Sequence, residues 1–336
     1  MLLRVIIKNF LSFNGLEQFD LFPNHKRVTH SHHIYQHNPN PDVLKMSVIY
    51  GANGAGKSNL IKALSFVKRF VLSDTFLDAD SIKNWKFCLK PQKTNEPLFL
   101  AIEYESEERE VFFYSVEIND NGIQKEVLKT SGTNNPGVEI FVRAAREVTL
   151  RGDITKEMRD IISNWVIEHP FASLFTINSN VQLLNDVAIT SSQKWFGEKL
   201  KVVRLNSFHP DIITKLKQNP KQLKFATDMF SEIGLGLNGI EVKTENFDKW
   251  LAANPQEDKI LSRTEKMPDD VVLTKIVDNR NVSAISLEKG IRKVSELVFK
   301  QAGVEGYSAD MNIMSQSDGT VRLLILAPYL YSAVYE

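Results

Sequence analysis

The residues best equipped for chemistry stand together at Gly51-Ala52-Asn53-Gly54-Ala55-Gly56-Lys57-Ser58, a glycine-rich run that ends in a cation and a hydroxyl. Glycines let the backbone wrap closely around an anion, with successive N–H groups pointing inward as a nest. A helix starting at the end of such a run adds the positive end of its dipole. Lys57 places a charge where the β and γ phosphates of a nucleoside triphosphate would lie, and Ser58 offers a hydroxyl to Mg2+. Asn53 tolerates the left-handed conformation that a tight loop often demands. The spacing G-x-x-x-x-G-K-[ST] has force only between a strand and a helix, and the flanks read that way. Leu44 to Tyr50 reads as a short buried strand entering the loop. Beyond it Leu60, Ile61, Leu64, Val67 and Phe70 form an apolar stripe at helical spacing. Nucleotide binding is the prediction. The sequence has no Asn-Lys-x-Asp element of the kind that reads guanine. Arg143, Arg146 and Arg151 could pose as the arginine-rich lid of a small-molecule kinase, or could form a solvated face.

The elements that must position this loop follow from periodicity. Residues 2–10 read as a strand with Leu3, Val5 and Ile7 on one face, and residues 16–22 as a second strand. Residues 23–43 form a polar loop holding His30, His32, His33 and His37. Metal ligation is one reading of those imidazoles, and a mobile polar loop is the plainer one. Residues 97–129 alternate as an antiparallel meander, with Asn121-Gly122 as a hairpin turn, and are expected to form a β arm beside the nucleotide core. Residues 154–200 and 210–234 read as helical, Lys201–Leu205 and Ile240–Lys243 as strands, 271–285 as β and 287–302 as helix. Phe112, Phe113 and Tyr114 would serve either a base-stacking platform or a packed strand. Lys215, Lys217, Lys221 and Lys224 suit DNA phosphate or an ordinary solvated helix face.

Composition sets bounds. A chain of 336 residues, 43% hydrophobic, can bury a sizeable core in one large or two modest domains. Basic and acidic residues balance at 41 each, so bulk charge offers no argument for nucleic-acid binding, which stays open as a local feature. The single cysteine, Cys88, fits a reducing cytoplasmic compartment. The N-terminus lacks the apolar core of a signal peptide, and no run of about 18 apolar residues suggests a membrane span.

The segment Tyr50 to Leu60 resembles the G-x-N-G-x-G-K-S-N pattern of the RecF, SMC and OLD group of ABC-type ATPases. The opening Ile6-Ile7-Lys8-Asn9-Phe10-Leu11-Ser12-Phe13 is similar to that group's first strand, an I-x-N-F-x-S-F phrase. A strand carrying Glu126-Val127-Leu128 and a late phrase, Ser317-Asp318-Gly319-Thr320-Val321-Arg322, narrow the resemblance to the fifteenth class of prokaryotic AAA/ABC-like ATPases. Many members of that class lie beside restriction or anti-phage genes, some paired with a nuclease.

The resemblance implies an α/β fold: a P-loop NTPase of the ABC-ATPase-head type, a mixed sheet with an antiparallel β arm and a helical insertion. The expected divisions are 1–90 (head, with the loop), 91–150 (β arm), 151–200 (helical insertion) and 201–336 (head, with the late phrase). It implies ATP and Mg2+ bound by Gly51 to Ser58 with Asn59, and Ser58 as the Mg2+ ligand. Ser317, Asp318, Gly319, Thr320 and Arg322 would act as a signature motif contacting the γ-phosphate held by an opposite subunit. Its plainer reading is an N-capped helix, with Leu323, Leu324, Ala327 and Leu330 as core stripe and Pro328 as a kink. A homodimer or higher oligomer sandwiching ATP follows, switching a partner or fused effector such as a nuclease. A nucleotide-gated scaffold without turnover and a small-molecule kinase are the alternatives.

The family's hydrolytic strand, apolar residues ending in Asp-Glu, belongs further beyond Arg322 than the sequence runs. Val271 to Asp278 does not substitute, because Thr274 and Lys275 interrupt it and Asn279 follows. The sequence therefore reads as an N-terminal fragment, weak or inactive in hydrolysis by itself, and Gln92 is the candidate glutamine for sensing Mg2+.

Overall fold

A computed structural model describes residues 1–24, 26, 29–89, 96–133, 137–152, 154–181, 186–203, 211–260, 264, 268, 271–278 and 280–335. Gln92 lies outside them. Contacts gather the chain into two units, Met1–Val202 and Val203–Glu336.

In the first unit, β1 (Leu2–Lys8) turns Leu3, Val5 and Ile7 inward at 1–2% exposure, as alternation requires. It is followed by β2 (Glu17–Asp20) and by a two-residue ladder of β3 (Ile34–Tyr35) with β4 (Val43–Leu44). After helix α1 (Lys57–Leu72) come β5 (Leu98–Glu105), β6 (Val111–Asn119), β7 (Gly122–Ser131), β8 (Glu139–Ala144) and β9 (Glu147–Leu150). They form one seven-stranded sheet in the order β2-β1-β5-β6-β7-β8-β9. The expected boundary between 90 and 91 is thus bridged by strand pairing, with Val5 opposite Ile102, and the meander extends the first strand's sheet instead of standing apart as an arm. Every described pairing is antiparallel, so the mixed sheet is not seen among the described residues.

Two local expectations are corrected here. The strand predicted over 44–50 stops at Leu44, and Met46, Val48, Ile49 and Tyr50 are exposed, because among the described residues no strand pairs with them. The hairpin after β6 turns through Asp120 and Asn121, and Gly122 is the first residue of β7. Gly122 is needed for another reason: its φ is 122°, and a Cβ there would lie 2.5 Å from the Pro170 carbonyl oxygen, which accepts from the Ile123 N–H.

The helical segment resolves into α2 (Lys156–Glu168), capped by Thr155, then α3 (Leu174–Val181) and α4 (Val187–Lys194), capped by Asp186. A fully buried network ties α2 and α3 to the sheet. Glu126 accepts from Tyr114 Oη at 2.8 Å, from Ser173 Oγ and from the Leu174 N–H at 3.1 Å. Arg143, opposite Glu126 in the β7–β8 ladder, donates to the carbonyls of Ala172 (2.7 Å) and Val166 (3.2 Å). Burial raises the Glu126 carboxyl above its ordinary pKa, with Arg143 opposing, and burial lowers Arg143, with Glu126 opposing. Arg143 is therefore a structural clamp and Arg151 forms a bidentate pair with Asp186, so neither serves as a kinase-type lid. Phe112 and Tyr114 are fully buried, which leaves no stacking platform there.

In the second unit, α5 (Ile212–Gln218) and α6 (Pro220–Glu232) precede β10 (Leu237–Asn246) and α7 (Phe247–Ala253). Then follow β11 (Val272–Val277), β12 (Arg280–Glu288), β13 (Ile291–Ala302), β14 (Ser308–Asn312) and α8 (Asp318–Tyr335). The helix predicted over 287–302 is the strand β13. Lys289 (φ 54°) and Gly290 (φ 74°) make a tight turn, and Ser295, Leu297 and Phe299 alternate inward along β13, which pairs with β10 on one side and with β12 and then β14 on the other. Lys201–Val203 carry no strand, and Arg204 and Leu205 lie outside the described residues. Asp278 closes the β11–β12 hairpin at φ 48°, as befits an ordinary strand end. Lys215 pairs with Asp211 and Lys217 with Glu288, the pattern of a solvated helix face. Among the described residues no helix is long and apolar enough to cross a membrane.

Candidate functional site

The glycine loop sits at the head of α1, whose buried face anchors it. That face is Leu60, Ala63, Phe66, Val67, Phe70 and Val71, rotated from the predicted stripe so that Ile61 is exposed. Phe66 packs edge-on against Phe10, Phe76 and Trp85 at centroid distances of 5.1–5.5 Å. Lys68 donates to the carbonyls of Gly197 (3.1 Å) and Leu200 (2.6 Å), and burial lowers its pKa.

Within the loop Gly54 (φ 82°) and Gly56 (φ 90°) take the left-handed conformation, and Asn53 does not. Gly56 caps α1, whose first turn carries no acidic residue. Lys57 Nζ folds back on the carbonyls of Gly51 and Ala52, 2.7 Å from each. Ser58 is exposed on the first turn of the helix.

A second element completes the site. The tight turn from Phe10 to Phe13 closes by reciprocal backbone bonds of 2.8–2.9 Å, with Asn9 (φ 52°) and Leu11 (φ 48°) left-handed. Asparagine tolerates that conformation, and Asn9 Nδ2 also reaches the carbonyls of Glu96 and Pro97 at 3.2–3.3 Å. The turn sends Phe10 into the core and Ser12 onto the loop. Asn59 Nδ2 donates to Ser12 Oγ at 2.9 Å, and a Cβ on Gly56 would lie 2.6 Å from the same oxygen. Beside them opens a cleft of 630 Å³, lined by Ser12, Phe13, Asn14, Glu17, Ala55 and Phe87. Sequence reasoning missed Ser12 as a site residue; its signal lay in the I-x-N-F-x-S-F phrase.

The late phrase lies in the second unit. Ser317 Oγ accepts the Thr320 N–H at 3.1 Å and meets Thr320 Oγ1 at 2.9 Å, the geometry of an N-cap on α8. Thr320 is buried, while Ser317, Asp318, Gly319 and Arg322 are exposed. Arg280 was not foreseen, and it holds this helix start in place. Its guanidinium donates to the carbonyls of Ile313 (2.9 Å), Met314 (3.2 Å) and Gln316 (2.7 Å) and to Asp318 Oδ1 (2.7 Å). Of the predicted stripe, Leu324 and Ala327 are buried and Leu330 is 41% exposed; α8 continues through Pro328.

Residues 46–146 match the family model described as "AAA domain, putative AbiEii toxin, Type IV TA system". No curated protein matches the chain. Among solved structures, the chain is similar to one described by ATP-driven dimerization and DNA stimulated activation of SMC ATPases, with 15% identity, 58% of this chain and 90% of that chain covered, and a TM-score of 0.25. It is also similar to the recombination mediator RecF with ATP, with 13% identity over 100% of this chain and 82% of that chain, at a TM-score of 0.33. Overlays this loose carry no argument. The matched segment, with the glycine loop inside it, is thus similar to an AAA-type ATPase domain.

Proposed function

We propose that Gly51 to Asn59 bind ATP with Mg2+, and that ATP pairs two copies head to head, each copy's Ser317–Arg322 phrase closing on the nucleotide of the other. The observation that carries the first part is the Lys57 ammonium, held by two backbone carbonyls at the mouth of a 16-residue helix whose glycine cap supplies no side-chain hydrogen bond. Those carbonyls are a weak resting place, which phosphate oxygens would replace.

The residues present fit a triphosphate. Gly56 leaves room that any Cβ would fill, the N-terminal dipole of α1 favours an anion, and the cleft beside Ala55 can take the rest of the nucleotide, with Phe13 and Phe87 as its aromatic lining. Ser58 would hold Mg2+, which neutralises charge on the β and γ oxygens when bound. Lys57 then moves from carbonyl to phosphate, and the Ser12–Asn59 contact keeps the loop shaped around it. On this reading hydrolysis opens the pair and switches a partner or fused effector, a nuclease being the fitting kind. The matched family's description names a toxin–antitoxin system, which supports a defence setting.

Retention of labelled ATP with Mg2+ by the purified protein tests the core of this reading. Lys57→Ala is expected to weaken retention by at least about tenfold, or ~1.4 kcal/mol, near the low end of what one hydrogen bond to a charged group contributes. Equal retention by the variant would sink it.

A further inference from the structure

Three of the imidazoles in the loop before α1 converge. His30 is left-handed (φ 62°, ψ 41°) and is followed by a single 3-10 turn, Ser31–His33, closed by the His33 N–H donating to the His30 carbonyl at 2.9 Å. Three residues per turn place His30 and His33 on the same side, with His32 beside them. The ring centroids stand 4.2 Å (His32–His33), 5.8 Å (His30–His32) and 5.9 Å (His30–His33) apart. One ligand nitrogen from each ring lies within 4.8 Å of the others. His37, the fourth candidate, is excluded: it is buried, with Nε2 2.9 Å from Glu105 Oε1.

We propose that His30, His32 and His33 form a binding site for a transition-metal ion of the Zn2+ class. Imidazole nitrogens bind Zn2+ at about 2.0–2.1 Å, so tetrahedral coordination puts ligating nitrogens about 3.3 Å apart and ring centroids about 5 Å apart. The observed centroid distances bracket that value, and small side-chain rotations bring the nitrogens in. All three rings are exposed, so nothing obstructs those rotations. The backbone beneath is pinned, because β3 pairs with β4 and the Lys45 N–H donates to the His33 carbonyl at 2.8 Å. Three neutral ligands leave a fourth position for water, and they select a borderline ion over Mg2+, which demands oxygen donors.

The test is calorimetric titration of the whole chain, without affinity tag and without nucleotide, with Zn2+ and in parallel with Mg2+. One Zn2+ per chain is expected, with no matching Mg2+ signal. The double variant His32→Ala/His33→Ala should lose more than the ~10–100-fold in affinity that removing an outer-shell partner costs. His169→Ala, remote in sequence and packed beside Trp165 with centroids 4.9 Å apart, should bind as the parent does. Exposed positions make folding of the double variant safe, and circular dichroism checks it. Absence of saturable Zn2+ binding, or unchanged affinity in the folded double variant, overturns the proposal.

Discussion

Gly56 shows how much a single position can demand. It combines φ 90°, a helix cap and a Cβ-free approach to Ser12 Oγ. A non-glycine residue at that φ costs on the order of 1–3 kcal/mol, and the 2.6 Å contact adds a steric part. Gly56→Ala is therefore expected to lower the urea midpoint and to weaken ATP retention together. Adding Ser12→Ala removes the contact but not the backbone strain, so the double variant should recover part of the loss. If Gly56→Ala matched the parent in both measurements, the loop would not hold the conformation described. Asn9 answers a similar demand by different means: its side chain suits φ 52° and anchors the same turn to two carbonyls. Arg280 does for the start of α8 what Asn9 does for the Phe10–Phe13 turn, gathering four acceptors with one planar group.

At the scale of elements, the β7 strand shows what a buried carboxylate does within a sheet. Glu126 gathers β6, β8 and the start of α3 around one buried site. Its pKa is raised by burial, so from about pH 4.5 upward the unfolded chain gives up a proton that the folded chain keeps. The unfolded state then binds fewer protons, and this group's contribution to stability falls as pH rises through that window. Glu126→Gln cannot titrate. The stability of the parent minus that of the variant, from urea midpoints, should therefore shrink as pH rises from about 4.5. A difference that stays flat or grows would contradict the buried, proton-holding carboxyl. Legibility followed the same physics. Strands β1, β5 and β6 were readable because one face is buried and the pattern alternates. Strand β13 was misread because Ile291, Val294 and Val298 also fit a helical stripe, and only its hairpin partner decides between the two. The glycine loop was legible from spacing, whereas Ser12 and Arg280 act across 47 and 33–38 residues of sequence and no local pattern reveals such partners.

For the whole molecule, the two stretches proposed to meet a nucleotide lie one in each unit. The loop belongs to Met1–Val202 and the late phrase to Val203–Glu336, and each unit carries its own buried cluster, around Phe66 in the first and Phe299 in the second. A net charge of zero leaves no bulk repulsion to oppose self-association. If ATP binds the pair better than the single chain, mass action alone makes pairing depend on nucleotide concentration. Gly319 isolates this step. It is exposed in α8, and a Cβ there would meet only Ser317 Oγ at 3.7 Å, an ordinary contact, so a side chain is accommodated within the chain. Glutamate is also well suited to the first turn of a helix. Gly319→Glu should thus keep the parent's unfolding midpoint and still bind ATP through its own loop, with only the affinity gained from pairing lost. What it adds is bulk and negative charge on a surface proposed to meet a phosphate. In sedimentation velocity with ATP and Mg2+ the parent should shift to a dimer and the variant should stay a monomer at the same concentration. A variant that pairs as readily as the parent would leave the Gly51–Ser58 reading intact and remove the late phrase from the interface.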